Sequence, residues 1–121
     1  MNIRISHHLL LCATPKKELC CPNSEGKATW EKLKELIQKL NLENYQRPEG
    51  IVLRSKVDCL RVCKKGPILL VWPDGIWYGQ VTPERIEVII YKHIIEGFII
   101  KDWIIKHTPL SCTDFPLKQK D

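Results

Sequence analysis

The chain has 121 residues and a mass of 14.1 kDa, which is the size of a single domain. Its net charge of +5 and its pI near 8.9 are a mild basic excess, compatible with nucleic acid or with an acidic protein partner. Its apolar runs are far shorter than the roughly 20 residues that a membrane helix needs, so we expect no membrane span.

The N-terminal stretch resembles a secretory signal only faintly. Its apolar part is limited to residues 9–11, two histidines precede it, and no small-residue cleavage site follows. We therefore expect a cytoplasmic protein. In a reducing compartment, clustered cysteines usually serve as metal or redox ligands rather than as disulfides, so the six cysteines are the most informative feature of the composition.

The first third of the chain predicts a strand, a loop and a helix. Residues 1–6 carry no pattern and are expected to form a flexible N-terminus. The apolar run 7–12 predicts a buried strand that ends at Cys12. Prolines and polar residues predict a loop over 13–26. The loop contains Cys20 and Cys21. Apolar residues at helical spacing then predict a helix from about 27 to 41.

The middle of the chain predicts another strand, a second cysteine pair and a hairpin. Residues 51–57 predict a strand that becomes alternating toward its end and leads to the cysteines. The pair consists of Cys59 and Cys63. Two apolar runs, 68–72 and 76–78, flank the turn sequence P-D-G at 73–75 and predict a β-hairpin. A thiol pair therefore immediately precedes the hairpin.

The last predicted helix begins with a clear start signal, because Thr82 is a good N-cap and Pro83 fits the first helical position. The helix is expected to run to about Glu96 and to stop at Gly97. Its inward face would hold Ile86, Ile89, Ile90, His93 and Ile94. Residues 98–105 are expected to be either an extended segment or a short closing helix.

The order of these elements is β-α-β followed by β-β-α, which is the thioredoxin-like order. The fold class is therefore α/β, with a small mixed sheet flanked by helices, and a right-handed crossover makes the first two strands parallel neighbours. We expect the domain to span residues 7–106 and residues 107–121 to form a C-terminal tail.

Four cysteine positions thus fall into two pairs, each in a loop that follows a predicted strand. Structural zinc and iron–sulfur clusters both require soft, deprotonated sulfur donors, which such pairs supply. The residues alone leave zinc, a cluster, disulfides and unligated thiols open. The spacings differ from the C-x-x-C of thiol–disulfide exchange, so that chemistry is weakly supported.

With these residues in place, the chain resembles a known family, the thioredoxin-like 2Fe–2S ferredoxins. These are related to the thioredoxin-fold subunit of respiratory complex I and of NAD-linked hydrogenases. The resemblance rests on the strand ending at Cys12, the C-L-R-V-C at 59–63, the run G-P-I-L-L-V-W-P-D-G-I-W-Y-G at 66–79, the V-T-P-E at 81–84, and the segment 93–97. It covers roughly residues 7–106, and the stretch from Cys59 through Pro83 is its most specific part.

The resemblance implies a soluble one-electron carrier, not an enzyme, with a 2Fe–2S cluster held by four thiolates. By position, the ligands would be Cys12, Cys59, Cys63 and either Cys21 or Cys20, with the distance to the following glycine favouring Cys21. The alternative function is a metal-stabilised binding or sensing module that holds zinc or a cluster. The family includes homodimers, so the resemblance also allows a homodimer.

The surroundings of the implied ligands are basic, and the sequence here departs from the family. Asp58 and Arg61 stand where the family often has glycine, which leaves the reduction potential open. The nearby cations are Lys16, Lys17, Arg54, Lys56, Arg61, Lys64 and Lys65. Each alone is an ordinary solvated side chain. As a group they predict a docking face for an acidic redox protein, and we expect neither nucleic acid nor a membrane as partner.

Three other sets of residues have simpler expected roles. Replacement of a cysteine ligand by His7 or His8 would give a Rieske-like site, but four cysteine positions already suffice. Cys112 lies in the predicted tail and is expected to be a spare thiol. Trp72 and Trp77 belong to the hairpin and are expected to pack near the metal site.

Overall fold

A mixed β-sheet of five strands organises the protein. The computed structural model describes residues 3–12, 23–57 and 66–108. The strands are β1 (Ile5–Cys12), β2 (Ile51–Val57), β3 (Leu69–Trp72), β4 (Ile76–Tyr78) and β5 (Ile104–His107). They lie in the order β2-β1-β3-β4-β5, with β1 and β2 parallel and the other neighbours antiparallel. This arrangement confirms the α/β, thioredoxin-like prediction.

Within the described residues, two α-helices and a short 3-10 turn accompany the sheet. Helix α1 (Asn23–Lys39) makes the crossover from β1 to β2, and helix α2 (Pro83–Ile89) follows the hairpin. Helix α2 continues as a π-helical turn over Ile90–Ile95, and a 3-10 turn over Lys101–Trp103 leads into β5. In the described ranges no helix combines the length and the apolar character that crossing a membrane requires.

The core lies between one face of the sheet and the two helices. Alternate residues of β1 point into it, so Leu9 and Leu11 are fully buried while Leu10 is only partly buried. The helices contribute Leu33, Leu36 and Ile37 from α1 and Ile86, Ile89 and Ile90 from α2 with its continuation. Buried Thr29 joins α1 to the segment before α2, because its hydroxyl donates to the Val81 carbonyl at 2.7 Å.

Several predicted boundaries need correction. Helix α1 begins at Asn23, so Gly26 lies inside the helix rather than in the loop predicted for residues 13–26. Strand β1 begins at Ile5, inside the expected flexible N-terminus, because Ile5 pairs with Ile51 on β2. At the other end, β5 pairs with β4 and extends the folded region to His107.

The last helix starts and stops where the sequence predicts, and its last turns take a form that the sequence did not indicate. Thr82 is the N-cap, and its side chain accepts a hydrogen bond from the Arg85 amide at 3.2 Å. The helical turns widen to the π form after Ile89, which the apolar spacing did not indicate. Gly97 follows the helix with a φ of 86°, as expected for a stop signal.

Two glycines with positive φ give a matched test of this fold. The Cβ of an alanine at position 97 would meet no atom within 4 Å. The only cost to folding stability would be the backbone strain of a φ of +86°, about 1–2 kcal/mol. At position 50 the φ is +107°, and a Cβ would also lie 2.8 Å from the Ser6 amide nitrogen on β1. We expect Gly50→Ala to lower the Tm at least twice as much as Gly97→Ala, with about 3–6 °C per kcal/mol for a domain of this size. Equal shifts would contradict the packing of Gly50 against β1.

Candidate metal centre

Cys12 is the last residue of β1 and lies at the edge where β1 and β2 both end. The residue is fully buried. Its amide donates to the Ile68 carbonyl at 3.0 Å, and its Cα is paired with that of Val57, the last residue of β2. The predicted strand therefore delivers its cysteine to this edge of the sheet.

The segment with the second cysteine pair starts and ends beside Cys12. The described chain enters the segment after Val57, which is paired with Cys12 on one side. It resumes at Gly66, two residues before Ile68, which is hydrogen-bonded to Cys12 on the other side. Cys59 and Cys63 lie within residues 58–65, outside the described residues.

Helix α1 begins near the same edge. Trp30, two turns into the helix, contacts two cations from the end of β2: the Lys56 ammonium lies 5.5 Å and the Arg54 guanidinium 5.7 Å from its ring centre. The N-terminal half of α1 therefore packs beside the last residues of β2. Cys20 and Cys21 precede the first helical residue by three and two positions. Both of them, and Cys112, lie outside the described residues.

Two of the cations predicted to surround the cysteines, Arg54 and Lys56, lie in the described part of the chain. Arg54 forms an ion pair with Glu43, so its charge is partly neutralised. Lys56 is exposed at the edge that holds Cys12. The other predicted cations lie outside the described residues: Lys16, Lys17, Arg61, Lys64 and Lys65. Asp58 lies there as well.

The donor chemistry of this edge fits a metal–sulfur group. A buried thiol at the end of a strand is shielded from water and adjoins both ends of a segment with two further thiols. Soft sulfur donors that come together bind zinc or an iron–sulfur cluster.

The histidines of β1 are remote from Cys12. Along a strand that rises about 3.3 Å per residue, His8 lies roughly 13 Å and His7 roughly 17 Å from Cys12. A Rieske-like site that includes Cys12 is therefore excluded by the geometry of β1. Trp72 pairs with His8, so the prediction that it packs near Cys12 is wrong.

At that remote end the structure brings together residues that the sequence analysis did not connect. His7, Asp74 and His93 meet there, and Tyr78 contacts His93. Burial lowers the pKa of His7, an effect that Asp74 partly opposes, and burial raises the pKa of Tyr78. The apolar spacing of the last helix correctly placed His93 on its packed face, but no local pattern indicated its partners.

Comparisons with known proteins agree on one kind of relative, although no protein-family model matches the chain. A 2Fe–2S ferredoxin from Clostridium pasteurianum is 28% identical over 99 residues, which cover 78% of this chain and 91% of that protein. A 2Fe–2S ferredoxin from Aquifex aeolicus is 43% identical over 47 residues, which cover 39% of this chain and 42% of that protein.

Solved structures give the same result for the fold. A thioredoxin-like [2Fe–2S] ferredoxin from Aquifex aeolicus matches with a TM-score of 0.64 at 25% identity, over 87% of this chain and 96% of that one. A cysteine-to-serine variant of the Aquifex aeolicus protein matches with a TM-score of 0.69, also at 25% identity, over 83% of this chain and 98% of that one.

Proposed function

We propose that the chain belongs to the thioredoxin-like 2Fe–2S ferredoxins, that it binds a 2Fe–2S cluster and that it carries single electrons between redox proteins. The observation that supports this most directly is the position of Cys12, buried at the edge where β1 and β2 end together. The cluster supplies the one-electron couple when it is bound. The protein supplies thiolates, burial and a docking surface, and it transforms no substrate of its own.

We propose that four thiolates hold the cluster: Cys12, Cys59, Cys63 and Cys21. Cys59 follows Val57 by two residues and Cys63 precedes Gly66 by three, so both are tethered to chain ends that flank Cys12. Cys21 comes from the segment that joins Cys12 to the start of α1, which packs beside the same edge. We favour Cys21 over Cys20 because its distance from Gly26 matches the family pattern better.

The burial of Cys12 has a functional consequence. A cluster attached to this fully buried thiol would be shielded from water on the side that faces the protein. A redox partner would therefore exchange electrons with the cluster by docking at this edge of the sheet.

We further propose that the partner is acidic where it docks. The net charge of the chain is +5, and Lys56 is exposed at the edge that holds Cys12. Opposite charge on a partner would steer the encounter toward the site of electron exit. The homodimer that the resemblance allows stays a prediction.

Alanine substitutions test the ligand set. Cys12→Ala, Cys59→Ala and Cys63→Ala should each lose most of the iron and acid-labile sulfide per chain, because alanine offers no donor atom. Cys112→Ala is the matched control and should keep the wild-type content. Comparison of Cys20→Ala with Cys21→Ala identifies the fourth ligand, and we expect the loss in Cys21→Ala. Full cluster content in Cys59→Ala would refute the assignment.

The docking proposal is tested by charge reversal at the two ends of the molecule. Lys56 lies at the edge with Cys12, whereas Lys39 ends α1 at the opposite side and is also exposed. We expect Lys56→Glu to slow second-order reduction by a reduced, negatively charged flavoprotein severalfold, and Lys39→Glu to leave the rate near the wild-type value. The wild-type rate should fall as salt is raised, because salt screens the attraction. A rate that is indifferent to salt and to Lys56→Glu would count against an acidic partner.

A further inference from the structure

Two histidines and an aspartate converge at the end of the sheet that lies opposite Cys12. They come from three separate elements: His7 from β1, Asp74 from the β3–β4 turn, and His93 from the π-helical turn after α2. His7 is five residues from Cys12, which places it roughly 17 Å away along the strand. This group of His7, Asp74 and His93 is therefore spatially separate from the edge of the sheet that holds Cys12.

The three side chains point their ligand atoms at a common place. Nε2 of His93 lies 2.6 Å from Oδ2 of Asp74, and Nε2 of His7 lies 3.6 Å from the same oxygen. One ligand atom from each residue lies within 4.8 Å of the others. Two neutral imidazole nitrogens and a carboxylate oxygen are a donor set that suits Zn²⁺ and related late divalent ions.

The other nitrogen of each histidine is already engaged by a hydroxyl group. Nδ1 of His7 lies 3.2 Å from the hydroxyl of Ser6, and Nδ1 of His93 lies 2.8 Å from that of Tyr78. The Tyr78 oxygen in turn accepts a hydrogen bond from the Ile100 amide at 3.2 Å. Metal-binding histidines are typically oriented in this way, with the outward nitrogen fixed and the inward one aimed at the ion.

A hydrogen-bond network explains only part of this arrangement. The contact between His93 and Asp74 is a normal charge-assisted hydrogen bond. The 3.6 Å between His7 and Asp74 is too long for one. It is instead close to the separation of roughly 3.3 Å between two ligands of a tetrahedral ion with bonds near 2.05 Å. His7 is thus within ion-pairing distance of the carboxylate and also lies where it can complete a metal site.

Burial and backbone shape also fit a site with one open position. The side chain of His93 is only 2% exposed and that of His7 17%, whereas that of Asp74 is 40% exposed. An ion and a water ligand could therefore enter past the carboxylate. The π-helical turn around His93 is a rare backbone form that is frequent at functional sites.

We propose that His7, Asp74 and His93 form a second metal site that binds Zn²⁺, with water in the fourth position. On binding, the ion takes the place of the hydrogen bond between Nε2 of His93 and Asp74, while the proton of the neutral His93 imidazole lies on Nδ1 and is donated to the Tyr78 oxygen. The ion then links β1, the hairpin turn and the end of the last helix. The site contains no thiol, so it does not depend on the cluster proposed at Cys12.

The test is a calorimetric titration of the full-length protein, containing its 2Fe–2S cluster and no affinity tag, with Zn²⁺. Zinc X-ray absorption then reports the donor atoms. We expect one zinc per chain in addition to the iron, with nitrogen and oxygen donors at about 2.0–2.1 Å and no sulfur at about 2.3 Å. His7→Gln and Asp74→Asn should each weaken binding at least about tenfold.

His8→Gln is the matched control. His8 is the next residue on the strand, and its Nε2 instead contacts the hydroxyl of Ser55 at 2.8 Å. This variant should bind zinc as the wild type does, and all three variants should keep the wild-type iron and sulfide content. The proposal is overturned if the wild type binds no stoichiometric zinc, if sulfur is the donor, or if His7→Gln and Asp74→Asn bind as tightly as His8→Gln.

Discussion

The parallel pairing of β1 with β2 is the constraint on which the rest of the structure depends. Because parallel strands point the same way, both end at one edge of the sheet, and there Cys12 and Val57 are direct partners. The chain leaves both strands at that edge. Two segments that are far apart in sequence, each with a pair of cysteines, therefore depart from neighbouring points. A pairing shifted by one residue would turn Leu9 and Leu11 out of the core, so burial of these side chains fixes the register.

Strand β1 contributes to the apolar core and also carries residues that could bind metals toward its two ends. Residues 9–11 of β1 are apolar and mostly buried, and β3 beside them has the same character. The two ends of β1 differ from the middle, with Cys12 at one end and His7 near the other. Cys12 and the group of His7, Asp74 and His93 thus lie toward opposite ends of one strand.

Much of the fold followed from sequence because the signals were local. The apolar run at 51–57, the hairpin turn and the Thr82-Pro83 helix start all coincide with observed features, since each depends on a few adjacent residues. The sequence left open whether the segment that contains β5 is extended or helical, because its residues have mixed propensity. Its strand form depends on pairing with β4, which is a tertiary contact. The meeting of His7 with Asp74 and His93 had no sequence signal, because it depends on how β1, a turn and the last helix pack together. For the cysteines, spacing left zinc, a cluster, disulfides and unligated thiols open, and only the family resemblance favoured a cluster.

The most direct test of the account is the inorganic content of the full-length protein purified without air. Iron, acid-labile sulfide and zinc should be quantified, and the visible and EPR spectra recorded before and after dithionite. The account predicts iron and sulfide in equal amounts, equivalent to one 2Fe–2S cluster per chain, with a visible spectrum that bleaches and an EPR signal that appears on reduction. A colourless protein that contains no sulfide, keeps zinc bound by sulfur and takes up no cluster on reconstitution would contradict it.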